Sequence, residues 1–319
     1  MRVLITGING FVGGHLAEYL LADSEWEVWG LARQAELKLP ALHGHVRMVV
    51  ADLNYPEAVA AALGEACPDV IFHLAAQSNV PHSFADPAGT LVTNTVTQIN
   101  IFQALLRLHQ NPLIVIATSN EIYGLVEPAD LPLTEYTPFR PVNPYAVSKA
   151  AQDLLAYQYH VSHMLRTIRL RLFNHIGPRQ SEQFVVSAFA AQIARIEAGQ
   201  QAPLIRVGNL SAERDFTDVR DVARAYALAA QRGQVPCAYN IGSGRYVSIR
   251  RLLDLLLALS THEIAIEADQ ARMRPADVPR MVSDGRLFYT HTSWQPQITL
   301  EQTLADVLDY WRQQVRVYG

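Results

Sequence analysis

The sequence feature that most constrains the fold is a glycine-rich turn at residues 7–13. An apolar run at residues 3–6 predicts a strand that leads directly into this turn, and an amphipathic helix follows over residues 11–21. Glycines at this spacing allow a tight turn, bring backbone N–H groups close to a pyrophosphate and let the helix pack on the strand. Because the helix N-terminus adds positive partial charge there, the turn predicts a dinucleotide site, with an incidental tight turn as the alternative. The residues of this predicted site are Gly7, Asn9, Gly10, Phe11, Val12 and Gly13.

The rest of the first half alternates short apolar runs with helical patterns. Continuous apolar strands separated by helices are typical of a parallel sheet that is covered on both faces. We therefore predict an α/β fold with a doubly wound, Rossmann-like parallel sheet. The predicted strands are residues 27–31, 46–50, 69–73, 113–117 and 167–172, and the predicted helices are residues 56–63, 90–108 and 145–161.

The second half is less regular. We expect residues 1–174 to form the dinucleotide-binding domain, with residues 219–245 returning to it. Residues 175–218 and 246–319 should form a smaller α/β domain that holds the substrate over the carboxyl ends of the strands. Helices are predicted at residues 185–198, 219–232, 248–259 and 300–315, and one further strand at residues 239–241.

Composition excludes several classes of protein. Half of the residues are apolar and 18% are charged, with a formal net charge of -4, which is typical of a globular protein with a substantial core. The sequence has no long basic runs or basic helices, so nucleic acid and anionic membranes are not expected partners. Cys67 and Cys237 are too far apart in sequence to indicate a disulfide framework or a zinc site, and the histidines lack metal-ligand spacing. We expect a cytoplasmic protein without a bound metal.

The end of the second strand bears on cofactor choice. An NAD-binding protein usually has an acidic residue there for the ribose hydroxyls, whereas this chain has Arg33 and no carboxylate. An arginine can face a 2′-phosphate, so NADP(H) is favoured and NAD(H) is the second candidate; a solvated Arg33 is the alternative. Asp52, after the third strand, could bind the adenine amino group or could cap the next helix.

A second constellation combines a serine with a tyrosine and a lysine. Ser119 follows the strand predicted at residues 113–117, and Tyr145 and Lys149 lie four residues apart on a predicted helix, so they share one face. A nearby ammonium favours the phenolate and should lower the pKa of the tyrosine. Ser119 could bond the same substrate oxygen. The alternative is a surface lysine beside a packed tyrosine, which leaves the serine and the glycine turn as coincidences.

Together these residues resemble the extended short-chain dehydrogenase/reductase family, and the likeness covers nearly the whole chain. The motifs are GINGFVG (7–13), DL (52–53), HLAA (73–76), Asn94, TSNEIYG (118–124), YAVSK (145–149) and LFN (172–174). The resemblance implies that Ser119, Tyr145 and Lys149 act together, with Lys149 also contacting the nicotinamide ribose. It further implies cofactor contacts from Leu53, Leu74, Ala75, Ala76, Asn94 and Leu172.

The C-terminal half is similar to the GDP-mannose branch of that family, which contains GDP-mannose 4,6-dehydratases and GDP-4-keto-6-deoxymannose reductases. The likeness lies in residues 173–178, 207–210, 214–219 and 274–278. Arg214 offers a fixed, charged fork for a pyrophosphate oxygen, although Arg214 could be salt-bridged or solvated. The substrate contacts implied are Ser78, Asn174, Val207, Asn209, Arg214, Arg274 and Asp277.

The resemblance is nearer to the reductases, because residues 216–219 read Phe-Thr-Asp-Val. It implies NADP(H)-dependent reduction at C4 of a GDP-4-keto-6-deoxy-hexose to a GDP-6-deoxy-D-mannose (rhamnose) type of product, with Tyr145 as proton donor. Glu121 stands where the dehydratases hold a base for the C5 proton, so a GDP-mannose 4,6-dehydratase is the alternative; Glu121 could also be a carboxylate at a helix start. A UDP-sugar epimerase and a non-catalytic dinucleotide-binding regulator are less favoured, since residues 208–210 and the intact tyrosine and lysine argue against them.

Family members commonly pair through the helices predicted here at residues 90–108 and 145–161. Both helices carry apolar residues beyond one narrow stripe, so a homodimer is expected. The same residues could instead pack inside the monomer. They include Ile99, Phe102, Leu106, Leu154 and Leu155.

Overall fold

The computed structural model describes residues 1–270 and 278–318. The strands are Arg2–Thr6 (β1), Glu27–Ala32 (β2), Arg47–Val50 (β3), Val70–His73 (β4), Leu113–Ser119 (β5), Arg166–Leu172 (β6), Asn174–Ile176 (β7), Leu204–Val207 (β8), Glu213–Asp218 (β9), Ala238–Ile241 (β10), Tyr246–Ser248 (β11) and Ala265–Ala268 (β12). The helices are Phe11–Leu21 (α1), Pro56–Ala66 (α2), Val80–Ala85 (α3), Pro87–Arg107 (α4), Pro144–His163 (α5), Val185–Glu197 (α6), Val219–Arg232 (α7), Ile249–Leu257 (α8), Arg286–Thr292 (α9) and Leu300–Tyr318 (α10).

Strands β1 to β6 and β10 form a seven-stranded parallel sheet in the order β10-β6-β5-β4-β1-β2-β3. β1 lies near the middle of the sheet, and Val3, Leu4 and Ile5 are completely buried because helices cover both faces. This confirms the predicted doubly wound fold. The strand predicted at residues 239–241 pairs with β6 at one edge of the sheet.

Two apolar layers separate the sheet from its helices. One contains residues of α1 and α7, and the other contains residues of α2, α4 and α5. Alternate residues of a strand enter opposite layers: Phe72 of β4 packs with α7, whereas Ile71 packs on the other side. His73 therefore shares the α4–α5 side with Ile71, which places it in the layer that carries the helix of the predicted tyrosine and lysine.

The remaining elements form a separate core between α6, α8 and α10. They include a three-stranded sheet, β11-β9-β7, and a two-stranded sheet, β12-β8. These short strands were not predicted. α9 was grouped with the C-terminal domain, yet its Phe288 packs in the core beside α7. In the part of the chain that the structure describes, no helix is both long and apolar enough to cross a membrane.

Several predicted elements differ from the structure at their ends. The strand expected to stop at residue 117 continues to Ser119, so that residue ends β5 rather than following it. The helix expected from residue 90 begins at Pro87, because Asp86 caps it by accepting a hydrogen bond of 2.9 Å from the N–H of Gly89. α3 was not predicted.

Candidate active site

The glycine turn has the geometry that close approach of a pyrophosphate requires. Gly7 has a φ of +75°, and a β-carbon there would lie 2.9 Å from the backbone nitrogen of Ala75. A β-carbon at Gly13 would lie 2.3 Å from the carbonyl oxygen of Gly7, so α1 can pack on β1 only without a side chain. Gly10 precedes α1 and supplies no side-chain cap, which leaves N–H groups of the first turn for an anion. This cradle fits a dinucleotide.

Asn9 fixes the loop that follows β2. Its amide donates to the carbonyl of Glu36 and accepts from the N–H of Lys38, both at 2.9 Å. Arg33, directly after β2, is exposed. Its guanidinium is therefore available to a phosphate at the carboxyl edge of the sheet, where the prediction placed it. Val12 lies in the first turn of α1.

The loop after β3 uses Asp52 locally. Its carboxylate accepts two hydrogen bonds of 2.9 Å, from the backbone N–H and the side-chain amide of Asn54. It does not cap α2, because the residue preceding that helix is Tyr55, so the capping alternative is wrong. Leu53 is buried, and its carbonyl accepts a hydrogen bond of 2.8 Å from Asn100 on α4.

The structure brings the serine, the tyrosine and the lysine together. Ser119 ends β5, close enough to Tyr145 that its hydroxyl lowers the pKa of the phenol. Tyr145 and Lys149 lie in the first two turns of α5, which begins where Asn143 accepts a hydrogen bond of 2.7 Å from the N–H of Ala146. The Lys149 ammonium donates to a carbonyl of β5 at 2.9 Å and lies 6.0 Å from the centre of the Tyr145 ring. These groups can polarise and protonate one carbonyl oxygen.

Burial controls the protonation of both groups. It lowers the pKa of Lys149 to about 7, since a buried ammonium loses its hydration. It raises the pKa of Tyr145 to about 12; the hydrogen bond from Ser119 opposes this rise and the charge of Glu121 adds to it. The predicted lowering of the tyrosine pKa by the ammonium is therefore wrong for the protein alone, because burial of the phenol outweighs it. The phenol holds its proton at neutral pH.

Glu121 lies beside this group in a single helical turn after β5. Its backbone N–H donates to Ser119 Oγ at 3.2 Å, and its carboxylate accepts a hydrogen bond of 3.0 Å from the side-chain amide of Asn143. Asn143 thus holds both the carboxylate and the start of α5. Asn143 is not among the site residues predicted from the sequence, although an asparagine directly before a proline is a helix-start signal.

A hydroxyl at the end of β1 fixes the turn after β4. Thr6 Oγ1 accepts from the N–H groups of Leu74 and Ala75, both at 3.2 Å, and lies 2.9 Å from His73 Nδ1. With both lone pairs occupied, the hydroxyl donates its proton to Nδ1, so the neutral imidazole carries its own proton on Nε2. Burial, with Lys149 nearby, lowers the pKa of His73 to about 3. The imidazole is therefore neutral beside the ammonium.

Asn94 joins the next segment to α5. Its side-chain oxygen accepts from the N–H of Gln77 at 2.8 Å, and its amide donates to the carbonyl of Gln77 at 3.0 Å and to Ser148 Oγ at 2.8 Å. Asn94 is completely buried, so in this structure it positions the loop that carries Ala76 and Ser78. Ser78 is exposed in that loop. A direct contact of Asn94 with the cofactor stays a prediction.

The predicted substrate residues lie around β7, β8 and β9. Asn174 begins β7, directly after the buried Leu172 and Phe173, and its Oδ1 is buried without a hydrogen-bond partner among the described residues. Arg214 is buried in β9, which removes the solvated alternative, and donates to the carbonyl of Glu213 at 2.9 Å. Val207 ends β8, and Asn209 accepts from the N–H and hydroxyl of Ser211. Arg274 and Asp277 lie outside the described residues.

The comparison with known families decides where the chain belongs. The model of the family described as GDP-mannose 4,6 dehydratase matches residues 4–307. The chain belongs to this GDP-mannose 4,6-dehydratase family. Within the family, it is similar to GDP-6-deoxy-D-mannose reductase of Pseudomonas aeruginosa, with 38% identity over 315 residues that cover 99% of this chain and 98% of the relative. GDP-mannose 4,6-dehydratase of Vibrio cholerae is 28% identical, over 96% of this chain and 92% of the relative.

A solved structure gives the same picture of the fold. The structure of RMD from Pseudomonas aeruginosa complexed with NADPH superimposes with a TM-score of 0.87 and 36% identity, covering 98% of this chain and 99% of that chain. The chain is thus an extended short-chain dehydrogenase/reductase by fold and belongs to a family of nucleotide-sugar enzymes. Among the described residues, no group of three or more histidine, cysteine or acidic side chains could hold a metal ion.

Proposed function

We propose that this family member uses NADPH to reduce the C4 carbonyl of a GDP-4-keto-6-deoxy-hexose, giving a GDP-6-deoxy-D-mannose type of product. The observation that carries the proposal is the half-buried phenol of Tyr145 beside the end of β5, with the Lys149 ammonium 6.0 Å from its ring centre and its pKa raised to about 12 by burial. A reductase needs a proton donor at the carbonyl oxygen. The similarity to GDP-6-deoxy-D-mannose reductase over nearly the whole of both chains supports the same substrate class.

In this mechanism the hydride that C4 accepts would come from NADPH bound at the glycine turn. Ser119 and Tyr145 both hydrogen-bond the C4 oxygen and hold the carbonyl in place. As negative charge develops on that oxygen, Tyr145 donates its proton, and the ammonium of Lys149 stabilises the phenolate that remains. Protein groups therefore supply position, a proton and an electrostatic environment that already faces the oxygen.

NADP(H) is the preferred cofactor in this proposal, and NAD(H) is the second candidate. Support comes from Arg33, which is exposed at the end of β2 in a stretch without a carboxylate, and from the NADPH complex of the similar enzyme. A comparison of kcat/KM for NADPH and NADH, before and after Arg33→Ala, tests the assignment. We expect the substitution to weaken NADPH use and to leave NADH use nearly unchanged.

The deciding experiment supplies purified protein with GDP-4-keto-6-deoxymannose and NADPH and follows both NADPH and the sugar nucleotide by NMR. We expect one NADPH to be consumed for each C4 alcohol formed. Conversion of GDP-mannose to a 4-keto-6-deoxy sugar without added cofactor would instead identify a GDP-mannose 4,6-dehydratase. That second candidate is favoured by one observation, the Glu121 carboxylate held beside the phenol by Asn143.

A homodimer through α4 and α5 is part of the proposal. Of the apolar residues predicted to mediate pairing, Phe102 packs inside the monomer, whereas Leu154 is 57% exposed. Leu154 shares an exposed apolar stripe of α5 with Val147, Tyr157 and Val161. Such a stripe fits a helix that pairs with a second copy. Light scattering of Leu154→Glu tests this, with a monomer expected.

We also propose that the chain has two parts. Residues 1–174 with 219–245 bind the dinucleotide, and residues 175–218 with 246–319 bind the substrate. This division is supported by the separate core between α6, α8 and α10. The expectation of a cytoplasmic protein is supported by its two free cysteines, Cys67 and Cys237.

A further inference from the structure

The loop that follows β7 is fastened to α1 by a chain of hydrogen bonds. His15, in the second turn of α1, donates from Nε2 to the carbonyl of Pro178 at 3.0 Å. The Arg179 guanidinium donates to His15 Nδ1 at 2.8 Å and to the Glu18 carboxylate at 2.8 Å. One neutral tautomer of His15 satisfies both of its bonds, since Nε2 carries the proton and Nδ1 the lone pair. Burial lowers the pKa of His15, which favours this neutral form.

The backbone of Arg179 indicates that its side chain has a specific task. Its φ is +73°, in the left-handed region where glycine is the ordinary residue and a β-carbon is disfavoured. A residue persists in this conformation only when surrounding contacts hold it there. Here both arms of the guanidinium contact Glu18, and the two side chains are only 27% and 35% exposed. The guanidinium of Arg179 therefore holds the loop against α1.

Ring contacts continue the same connection to the glycine turn. Phe11 is the first residue of α1, and its ring is stacked on His175 with centroids 6.0 Å apart and an interplanar angle of 5°. The edge contact of Phe11 with His15 has a centroid distance of 5.5 Å. A β-carbon at Gly177 would lie 2.5 Å from Val219 Cγ1, so the loop also presses directly on the start of α7.

The fastened loop also carries polar atoms that face no protein partner. Asn174 Oδ1 and Gln180 Oε1 are both buried without a hydrogen bond among the described residues. Only 5% of Gln180 is exposed, and its Nε2 donates to the carbonyl of His175 at 3.0 Å. Buried polar atoms are normally satisfied, so these atoms are suited to meet a ligand.

We infer that Arg179 is a positioning residue that ties the loop at residues 174–180 to α1, so that a dinucleotide at the N-terminus of α1 strengthens binding of a nucleotide sugar on that loop. The inference rests on the proposed function for the identity of the two ligands. A dinucleotide at the glycine turn would hold the first turn of α1, whose Phe11 ring contacts His175 and His15, and the held helix would in turn hold the loop in place for the second ligand. Such a coupling is reciprocal.

Binding measurements on the whole protein test this coupling. GDP is the probe for the loop, NADP+ is the probe for the glycine turn, and calorimetry gives the Kd of GDP with and without saturating NADP+. In the parent protein we expect NADP+ to tighten GDP binding by about tenfold. In Arg179→Gly, which removes the fork and relieves the left-handed backbone, we expect the two Kd values of GDP to agree within about twofold.

Two further variants separate positioning from general structure. Arg179→Lys keeps the charge without the fork and should restore only part of the coupling. Arg107→Ala removes an exposed fork on Glu57, with bonds of 2.7 and 3.0 Å, and should keep the coupling in full. During turnover with saturating NADPH, Arg179→Gly should raise the KM for the sugar nucleotide about tenfold and change kcat by less than about threefold.

Hydrogen–deuterium exchange gives a readout that needs no sugar nucleotide. NADP+ should protect residues 174–180 from exchange in the parent protein and leave them unprotected in Arg179→Gly. The inference is overturned if NADP+ fails to protect this loop in the parent, or if Arg179→Gly keeps the protection. If protection and its loss occur as expected while GDP-4-keto-6-deoxymannose is not reduced, the proposed function fails and the role of Arg179 stands.

Discussion

Replacing Tyr145 by phenylalanine tests the proposed chemistry most directly. The change removes one hydroxyl, the group whose pKa burial raises to about 12 and that is proposed to hold the proton for the C4 oxygen. A positioned general acid contributes about 10²- to 10⁴-fold to a rate, so kcat should fall by about 10³-fold. The folded protein loses at most one hydrogen bond, which would cost about 1 kcal/mol. Activity and stability should therefore respond on very different scales.

Tyr226→Phe is the matched control. Tyr226 is completely buried in the layer between the sheet and α7, and its hydroxyl has no hydrogen-bond partner among the described residues. Removal of a buried, unbonded hydroxyl is nearly neutral or stabilising. We expect Tyr226→Phe to keep kcat within about twofold of the parent.

The assay is single-turnover oxidation of bound NADPH, with the Kd of NADPH measured by fluorescence and unfolding measured in urea. Tyr145→Phe should bind NADPH within about threefold of the parent, because the hydroxyl is assigned to the sugar. If Tyr145→Phe retains more than about a tenth of the parent rate, it is not the proton donor. A loss of NADPH binding that accounts for the whole rate defect would equally refute the reasoning.

Four further predictions follow from charges and packing. Burial holds the pKa of Lys149 at about 7 in the folded protein, whereas it is roughly 10.4 in an unfolded chain. Between these two pH values the unfolded chain binds more protons than the folded protein. The free energy of unfolding of the parent therefore rises with pH in this range. Lys149→Met should be more stable than the parent by about 1–3 kcal/mol near pH 6 and lose that advantage towards pH 10, measured by urea unfolding. Glu121→Gln should keep NADPH-dependent reduction within about threefold and abolish any dehydration of GDP-mannose, as product NMR would reveal. Asp153→Asn should lower the free energy of unfolding by about 3–5 kcal/mol, because it leaves the largely buried guanidiniums of Arg169 and Arg171 without their carboxylate. Asp254→Asn, at an exposed pair, is the control and should lower it by less than about 1 kcal/mol in the same assay. Gly13→Ala places a carbon 2.3 Å from the Gly7 carbonyl and should abolish NADPH binding in a fluorescence titration.

The first half of the chain could be predicted because its signals are local. Each strand of the large sheet is a short apolar run, and each helix that follows has its own periodicity. The site residues also sit in short motifs at the carboxyl ends of strands. Parallel strands place those ends along one edge of the sheet. The sequence therefore assigns Gly7, Arg33, Ser119 and Leu172 to this edge, and no side-chain contact has to be known.

The C-terminal strands could not be predicted, because their pairing is not local. β7 has three residues and is stabilised by pairing with β9, which itself pairs with β11. None of these three segments is apolar enough to predict a strand from the sequence. The contact of Asn143 with Glu121 is hidden for the same reason, since it joins two loops. Arg179 gave no signal either, because a left-handed backbone cannot be recognised in a residue other than glycine from sequence alone.

Burial, which the sequence does not show, decides which protonation state Tyr145 offers to the reaction. The sequence places an ammonium one helical turn from the phenol, but it does not reveal that both groups are withdrawn from water. Burial penalises the charged form of each, so it raises the pKa of Tyr145 to about 12 and lowers the pKa of Lys149 to about 7. Reduction consumes a proton at the C4 oxygen, which a protonated phenol supplies. Oxidation of an alcohol at C4, the reverse step, first requires the phenolate, which burial beside the Glu121 carboxylate disfavours. The free protein therefore presents a phenol, and not a phenolate, to the C4 oxygen, and this state follows from where the group lies rather than from which residues are present.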